Sequence, residues 1–198
     1  MNVLTGTHAA RAGLWAAGLC LLAVVAASIA LPGYSHLQHP LSLPGARGVP
    51  TAAWFNALAF VLPGALALLA ALALRARLRG AGWAARLGAQ LLQLSALAFG
   101  AQGLLPLDPD DLESASSRLH AGAWTGWWIA FVPGGLLLAT GLRGGSVPDR
   151  ARAAPLAIAA LLVLMAGLPA VLWPGPPVQR LAVAAWLLAY ASLARIAR

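Results

Sequence analysis

Residues 52–79 read AAWFNALAFVLPGALALLAALALRARLR. No charged side chain occurs from Ala52 to Leu74, and then Arg75, Arg77 and Arg79 follow in quick succession. An apolar run of this length exceeds the roughly 20 residues that carry a helix across the hydrocarbon core of a bilayer. Helix is the form available to it, because lipid offers no partner for a free backbone N–H or C=O. The basic cluster at one end marks the side on which membrane proteins hold their arginines. This stretch therefore predicts a transmembrane helix with a cytoplasmic C-terminal end.

Five more apolar runs follow the same pattern, giving spans at about 12–30, 52–74, 83–105, 119–142, 154–173 and 178–196. The first is longer than the usual 7–15-residue core of a signal peptide and reads as a retained helix. Composition agrees: 61% of the 198 residues are hydrophobic and 9% are charged, against about 45–50% and 25% in a soluble domain. So few charges cannot cover a water-facing surface, and so much apolar surface excludes disorder. The expected fold is all-α: a single domain over 1–198, built as a polytopic bundle of six transmembrane helices.

Every basic residue is Arg, and the net charge is +8. With both termini inside, ten of the 13 arginines fall on the inner side (Arg11, Arg75, Arg77, Arg79, Arg86, Arg143, Arg150, Arg152, Arg195, Arg198). Arg47, Arg118 and Arg180 fall outside, together with Asp108, Asp110, Asp111 and Glu113. The expected orientation is N-in, C-in, in the inner (plasma) membrane of a bacterium. The same rule accounts for the basic excess, so nucleic acid is not an expected partner. Trp54, Trp124, Trp127, Trp128 and Trp173 are expected as interfacial anchors near outer helix ends. Gly13 with Ala17, Ala96 with Gly100, and Gly122 with Gly126 give the small-residue spacing that lets membrane helices approach closely. Cys20 is the one cysteine, so no intrachain disulfide forms, and it is expected to pack as a small hydrophobe.

Chemistry-bearing residues gather on the outer side. His36, His39 and His120 lie there with four of the five acids. Asp108 sits between Pro106 and Pro109 just past the third span, and His120 opens the fourth, with Ser116 or Ser117 as a plausible cap. An Asp108–His120 hydrogen bond and an Asp108–Arg180 pair are the expected contacts. His36 and His39, spaced by three, together with His120, form a candidate zinc or copper site. Pro40 opposes this by holding His39 extended. Asn56, Gln90, Gln93 and Gln102 are polar within spans and are expected to bridge helices. Motifs of serine hydrolases, zinc proteases and phosphate-binding loops are absent.

Several outer segments occur in a recognisable order: Tyr34-Ser35-His36-Leu37, Ser42 with Gly45, Pro106-x-Asp108, Leu119-His120 and Gln179-Arg180. In this the chain resembles the bacterial six-helix membrane proteins grouped as domain-of-unknown-function family 998. One departure is that Leu43-Pro44 replace the family's Glu after Ser42. The resemblance implies a topology rather than an activity. The expected function is an outward pocket, floored by Ser42, Asp108, His120 and Arg180, that binds a lipid headgroup or small amphiphile. The alternatives are a metal-dependent hydrolase acting at the outer leaflet and a structural subunit of a larger membrane complex. Membrane lipids are the expected partners, with another membrane protein as a further candidate.

Overall fold

The computed structural model describes residues 7–142, 147–167 and 175–196. Six helices and no strands occur among them: α1 (Thr7–Ala30), α2 (Ala52–Arg77), α3 (Trp83–Leu104), α4 (Ala115–Gly141), α5 (Val147–Gly167) and α6 (Gly175–Ile196). Three stretches, Arg11–Ala30, Ala52–Arg77 and Ala115–Gly141, are long and apolar enough to cross a membrane. Each helix packs on the next in chain order, and α6 closes the ring against α1 and reaches α2.

The radial distribution of side chains is that of a bundle in lipid. On α1 the small residues Ala16, Ala23 and Ala27 are buried, while Leu22 is 69% and Ile29 81% exposed. Contiguous apolar surface of this kind is not tolerated in water. In a bilayer it costs nothing, and the inward small residues let backbones approach. At Gly64, for example, an added Cβ would lie 2.6 Å from the Cα of Gly100. The expected seam at Gly122 and Gly126 is different, for Gly122 faces open space and Gly126 meets only the Ala98 methyl, at 3.7 Å.

Aromatic rings fill the centre of the ring of helices. Phe99 stacks on Trp186 with centroids 4.3 Å apart, and Trp186 lies 4.5 Å from Tyr190. Trp186 Nε1 donates to Ser95 Oγ at 2.9 Å, and the Tyr190 hydroxyl donates to the Leu92 carbonyl. Trp127, expected at the interface, is instead fully buried in this cluster. Trp173 lies outside the described residues.

Helix ends differ from expectation where capping decides them. Helix α4 begins at Ala115 rather than 119, because Ser114, not Ser116 or Ser117, is the N-cap and accepts from the Ser117 N–H at 3.2 Å. Helix α6 begins at Gly175 rather than 178, so Pro176 and Pro177 occupy its first turn. Proline suits that position because its missing N–H has no helical partner there. Helix α5 begins at Val147, before the expected 154, and 168–173 of the expected fifth span lie outside the described residues. Helix α2 widens to a π turn over Ala57–Val61. Pro63 explains the place: its ring would strike the carbonyl of Ala59, four residues back, and a wider turn relieves that clash.

Candidate functional site

The segment between α1 and α2 folds as a strap over one end of the bundle. Gly33 opens it at φ +79°, a left-handed conformation that favours glycine. Ser35 N donates to His39 Nδ1 at 2.9 Å, and a short helical turn follows at Leu43–Gly45. The strap's far end is fixed by Thr51 Oγ1 donating to the Pro44 carbonyl at 2.7 Å. Asn56 Nδ2 donates to the Gly45 carbonyl at 2.8 Å. Gly45 is required here, since an added Cβ would lie 2.8 Å from Asn56 Cγ and 3.1 Å from Phe55.

Arg180, in the second turn of α6, holds the strap's near end. Its Nη2 donates to the Tyr34 hydroxyl at 2.7 Å and to the His39 carbonyl at 3.0 Å. Its Nε donates to His36 Nδ1 at 3.2 Å, and Nη1 to the Pro176 carbonyl at 2.9 Å. Tyr34 stacks on His39 and meets His36 edge-on. Burial pushes the Tyr34 phenol above its ordinary pKa, and the neighbouring Arg180 charge opposes that rise. Tyr34 therefore stays protonated and can both accept from Arg180 and donate onward to the Pro40 carbonyl at 3.4 Å.

The second loop at this end, between α3 and α4, is tied internally and to the strap. Ser117 Oγ donates to the Asp111 carbonyl at 2.9 Å and accepts from Asp108 N at 3.1 Å. Asp108 Oδ1 accepts from Asp110 N and Asp111 Oδ1 from Glu113 N, so these acids shape turns at the surface. Arg47 N donates to the Leu107 carbonyl at 2.8 Å, and the Arg47 side chain pairs with Asp108 at 3.8 Å.

Beneath the strap lies a cavity of about 240 Å³. Its polar wall is Ser42, Gln102, His120 and Gln179, and its apolar wall includes Phe60, Leu107 and Trp124. Gln179 Oε1 accepts from Leu41 N at 3.4 Å, which joins α6 to the strap at the cavity's edge. Gln102 is 1% exposed, yet its Nε2 has no hydrogen-bond partner. His120 lies against the Leu105 carbonyl, Nδ1 to O 2.8 Å. A carbonyl only accepts, so Nδ1 carries the hydrogen, and in the neutral ring Nε2 keeps a lone pair. The cavity is thus walled by an amide, an imidazole and the hydroxyl of Ser42, with the Gln102 Nε2 itself covered. Such a set suits a ligand group that both accepts and donates, as a hydroxyl does.

Of the four residues expected to floor one pocket, Ser42 and His120 line this cavity, and Asp108 and Arg180 do not. Asp108 pairs with Arg47 in place of Arg180 or His120, because the backbone bond between Arg47 and Leu107 brings those two loops together. Arg180 instead caps an apolar groove of about 350 Å³ between α1 and α6, lined by Cys20, Leu21, Val183 and Leu187 among others. Leu41 lines both the groove and the cavity. The histidines expected as zinc or copper ligands go to separate partners. His36 Nδ1 faces Arg180, His39 Nδ1 faces Ser35 N, and His120 Nδ1 faces a carbonyl. No group of three or more His, Cys, Asp or Glu able to hold a metal ion occurs among the described residues. Gln102 was expected to bridge helices, with the lining of a polar cavity as the alternative, and it lines the cavity. Sequence reading missed the role of Gln179.

Among curated proteins and solved structures none matches this chain. One family model does, over residues 14–197, which includes α1 from Leu14 onward and the whole of the other five helices. The chain therefore belongs to the family described as protein of unknown function DUF998.

Proposed function

We propose that this protein is a six-span membrane protein with both termini cytoplasmic, whose outward cavity binds the polar head of a small amphiphile or lipid. The observation that carries the reading is the Gln102 amide, 1% exposed and without a partner at the wall of a cavity. A buried polar group left unmade costs about 1–3 kcal/mol, and native proteins keep few of them without a reason. A shift of the covered Gln102 side chain that brings Nε2 to a ligand acceptor removes that cost. His120, oriented through Nδ1, receives a ligand hydroxyl at Nε2. The adjoining α1/α6 groove, which shares Leu41 as a wall with the cavity, has room and apolarity for an acyl chain. The arginine distribution along the sequence supports the orientation.

The test is native mass spectrometry of the full chain extracted in neutral detergent. The expected result is a retained adduct of lipid or amphiphile mass on the wild type. The adduct is lost in Gln102→Leu, which keeps the volume and removes the donor, and in His120→Phe. An adduct of the same mass and occupancy in both variants would refute the assignment.

A further inference from the structure

The opposite end of the bundle carries a second groove, of about 500 Å³, where α2 hands over to α3. Three arginines line it: Arg75 in the last turn of α2, Arg79 in the turn that follows, and Arg86 in the first turn of α3. Trp83, Leu87 and Gln90 complete the wall. Arg75 Nη2 donates to Gln90 Oε1 at 3.5 Å, a neutral partner. The one ion pair among the described residues, Arg47 with Asp108, is at the far end. Three like charges around one groove repel each other, and an anion shared among them turns that repulsion into attraction. Guanidinium groups match phosphate oxygens two by two.

The same groove has an apolar flank. Trp83 is 67% and Leu87 43% exposed. Tryptophan favours the depth of the headgroups. An occupant that fits both halves carries a phosphate and, beside it, a hydrocarbon chain. We infer that the Arg75–Arg79–Arg86 groove is a binding site for the headgroup of an anionic membrane phospholipid, with Trp83 and Leu87 against the start of its acyl chains. Basic clefts between membrane helices are suited to this use.

The experiment is a native mass spectrometry titration of the full chain in neutral detergent. Phosphatidylglycerol and phosphatidylcholine of matched acyl chains are compared, with inorganic phosphate and glycerol phosphate as soluble competitors. Wild type is expected to take phosphatidylglycerol at least about tenfold more tightly than phosphatidylcholine, and to lose that preference when all three arginines become Gln. Arg79→Gln alone, in an exposed turn that no fold contact needs, weakens phosphatidylglycerol about fivefold and decides the matter if the triple variant does not fold. Arg47→Gln, which removes an arginine at the other end, leaves the preference unchanged. Equal affinity for the two lipids, or an unchanged preference in Arg79→Gln, overturns the proposal. Full displacement of phosphatidylglycerol by inorganic phosphate overturns the assignment of a lipid as the occupant.

Discussion

Replacing Arg180 by Gln should release the strap without unfolding the bundle. Three of the guanidinium's four hydrogen bonds go to the strap, to Tyr34, His36 and the His39 carbonyl, across at least 141 positions of sequence. A hydrogen bond to a charged group contributes about 1.5–3 kcal/mol. All three acceptors are half-buried and regain water when the strap lifts, so the lower figure applies and the three do not add fully. A net loss of about 2–3 kcal/mol follows, falling on strap opening rather than on the helix core. Leu41, a strap residue only 5% exposed, is the place to read it. With Cys20 replaced by Ala and Leu41 by Cys, thiol labelling reports the fraction of time the strap is open. The Arg180→Gln background should label roughly 30- to 150-fold faster, since 1.4 kcal/mol is a factor of ten. Arg180→Lys, a point donor without the planar fork, should fall between the two. A change smaller than about threefold in Arg180→Gln would mean that the strap is held by its far anchors, Thr51 and Asn56, and that the guanidinium contributes little.

Three further outcomes are expected. An alanine at Gly13 would overlap the Tyr190 carbonyl and stand 2.8 Å from Ala191 N, whereas one at Gly18 meets nothing within 4 Å. Gly13→Ala should therefore lower the detergent melting temperature through overpacking of about 1–3 kcal/mol, and Gly18→Ala should raise it slightly by about 0.5–1 kcal/mol of helix propensity; equal shifts would contradict the α1/α6 contact. Gly45→Ala, forced against Asn56, should speed labelling at Leu41→Cys, and no effect there would mean that the Gly45–Asn56 contact is dispensable. For orientation, an impermeant thiol reagent applied to intact cells should label Leu37→Cys and leave Gly80→Cys untouched, and the reverse pattern would invert the topology.

The helices were legible in the sequence because hydropathy acts through composition alone. Ala52 to Leu74 announces α2 without any knowledge of its neighbours. Boundaries were less so: a cap at Ser114 depends on which backbone N–H a side chain reaches. The candidate site was legible only in part, for a specific reason. Reading by charge pairs side chain with side chain, as in the expected Asp108–His120 and Asp108–Arg180 contacts. The structure pairs His120 with the carbonyl of Leu105, and Arg180 with the carbonyls of His39 and Pro176. Every residue carries a carbonyl, so no residue type marks these partners. Gln102 shows the same limit, because its distinguishing property is the absence of a partner.

The π turn at Ala57–Val61 explains why a cavity forms at this end of the bundle. Below it, Gly64, Ala67, Ala70, Ala71 and Leu74 are buried at helical spacing, and Gly64 meets Gly100 in the backbone-to-backbone contact already described. Through the turn α2 stays close to α3, for an added Cβ at Gly103 would lie 2.7 Å from the Asn56 carbonyl oxygen. The wide turn admits an extra residue, so the segment above it is rotated relative to the face below. Asn56 is then free to face the strap and hold Gly45, while Phe60 becomes part of the cavity wall. A π turn loses regular i to i−4 hydrogen bonding, a cost that a helix accepts more readily where Pro63 has already removed one donor. The strap's anchor, the cavity's aromatic wall and the broken helical register thus share one cause, a proline four residues beyond Ala59. The residue that makes the cavity possible does not line it.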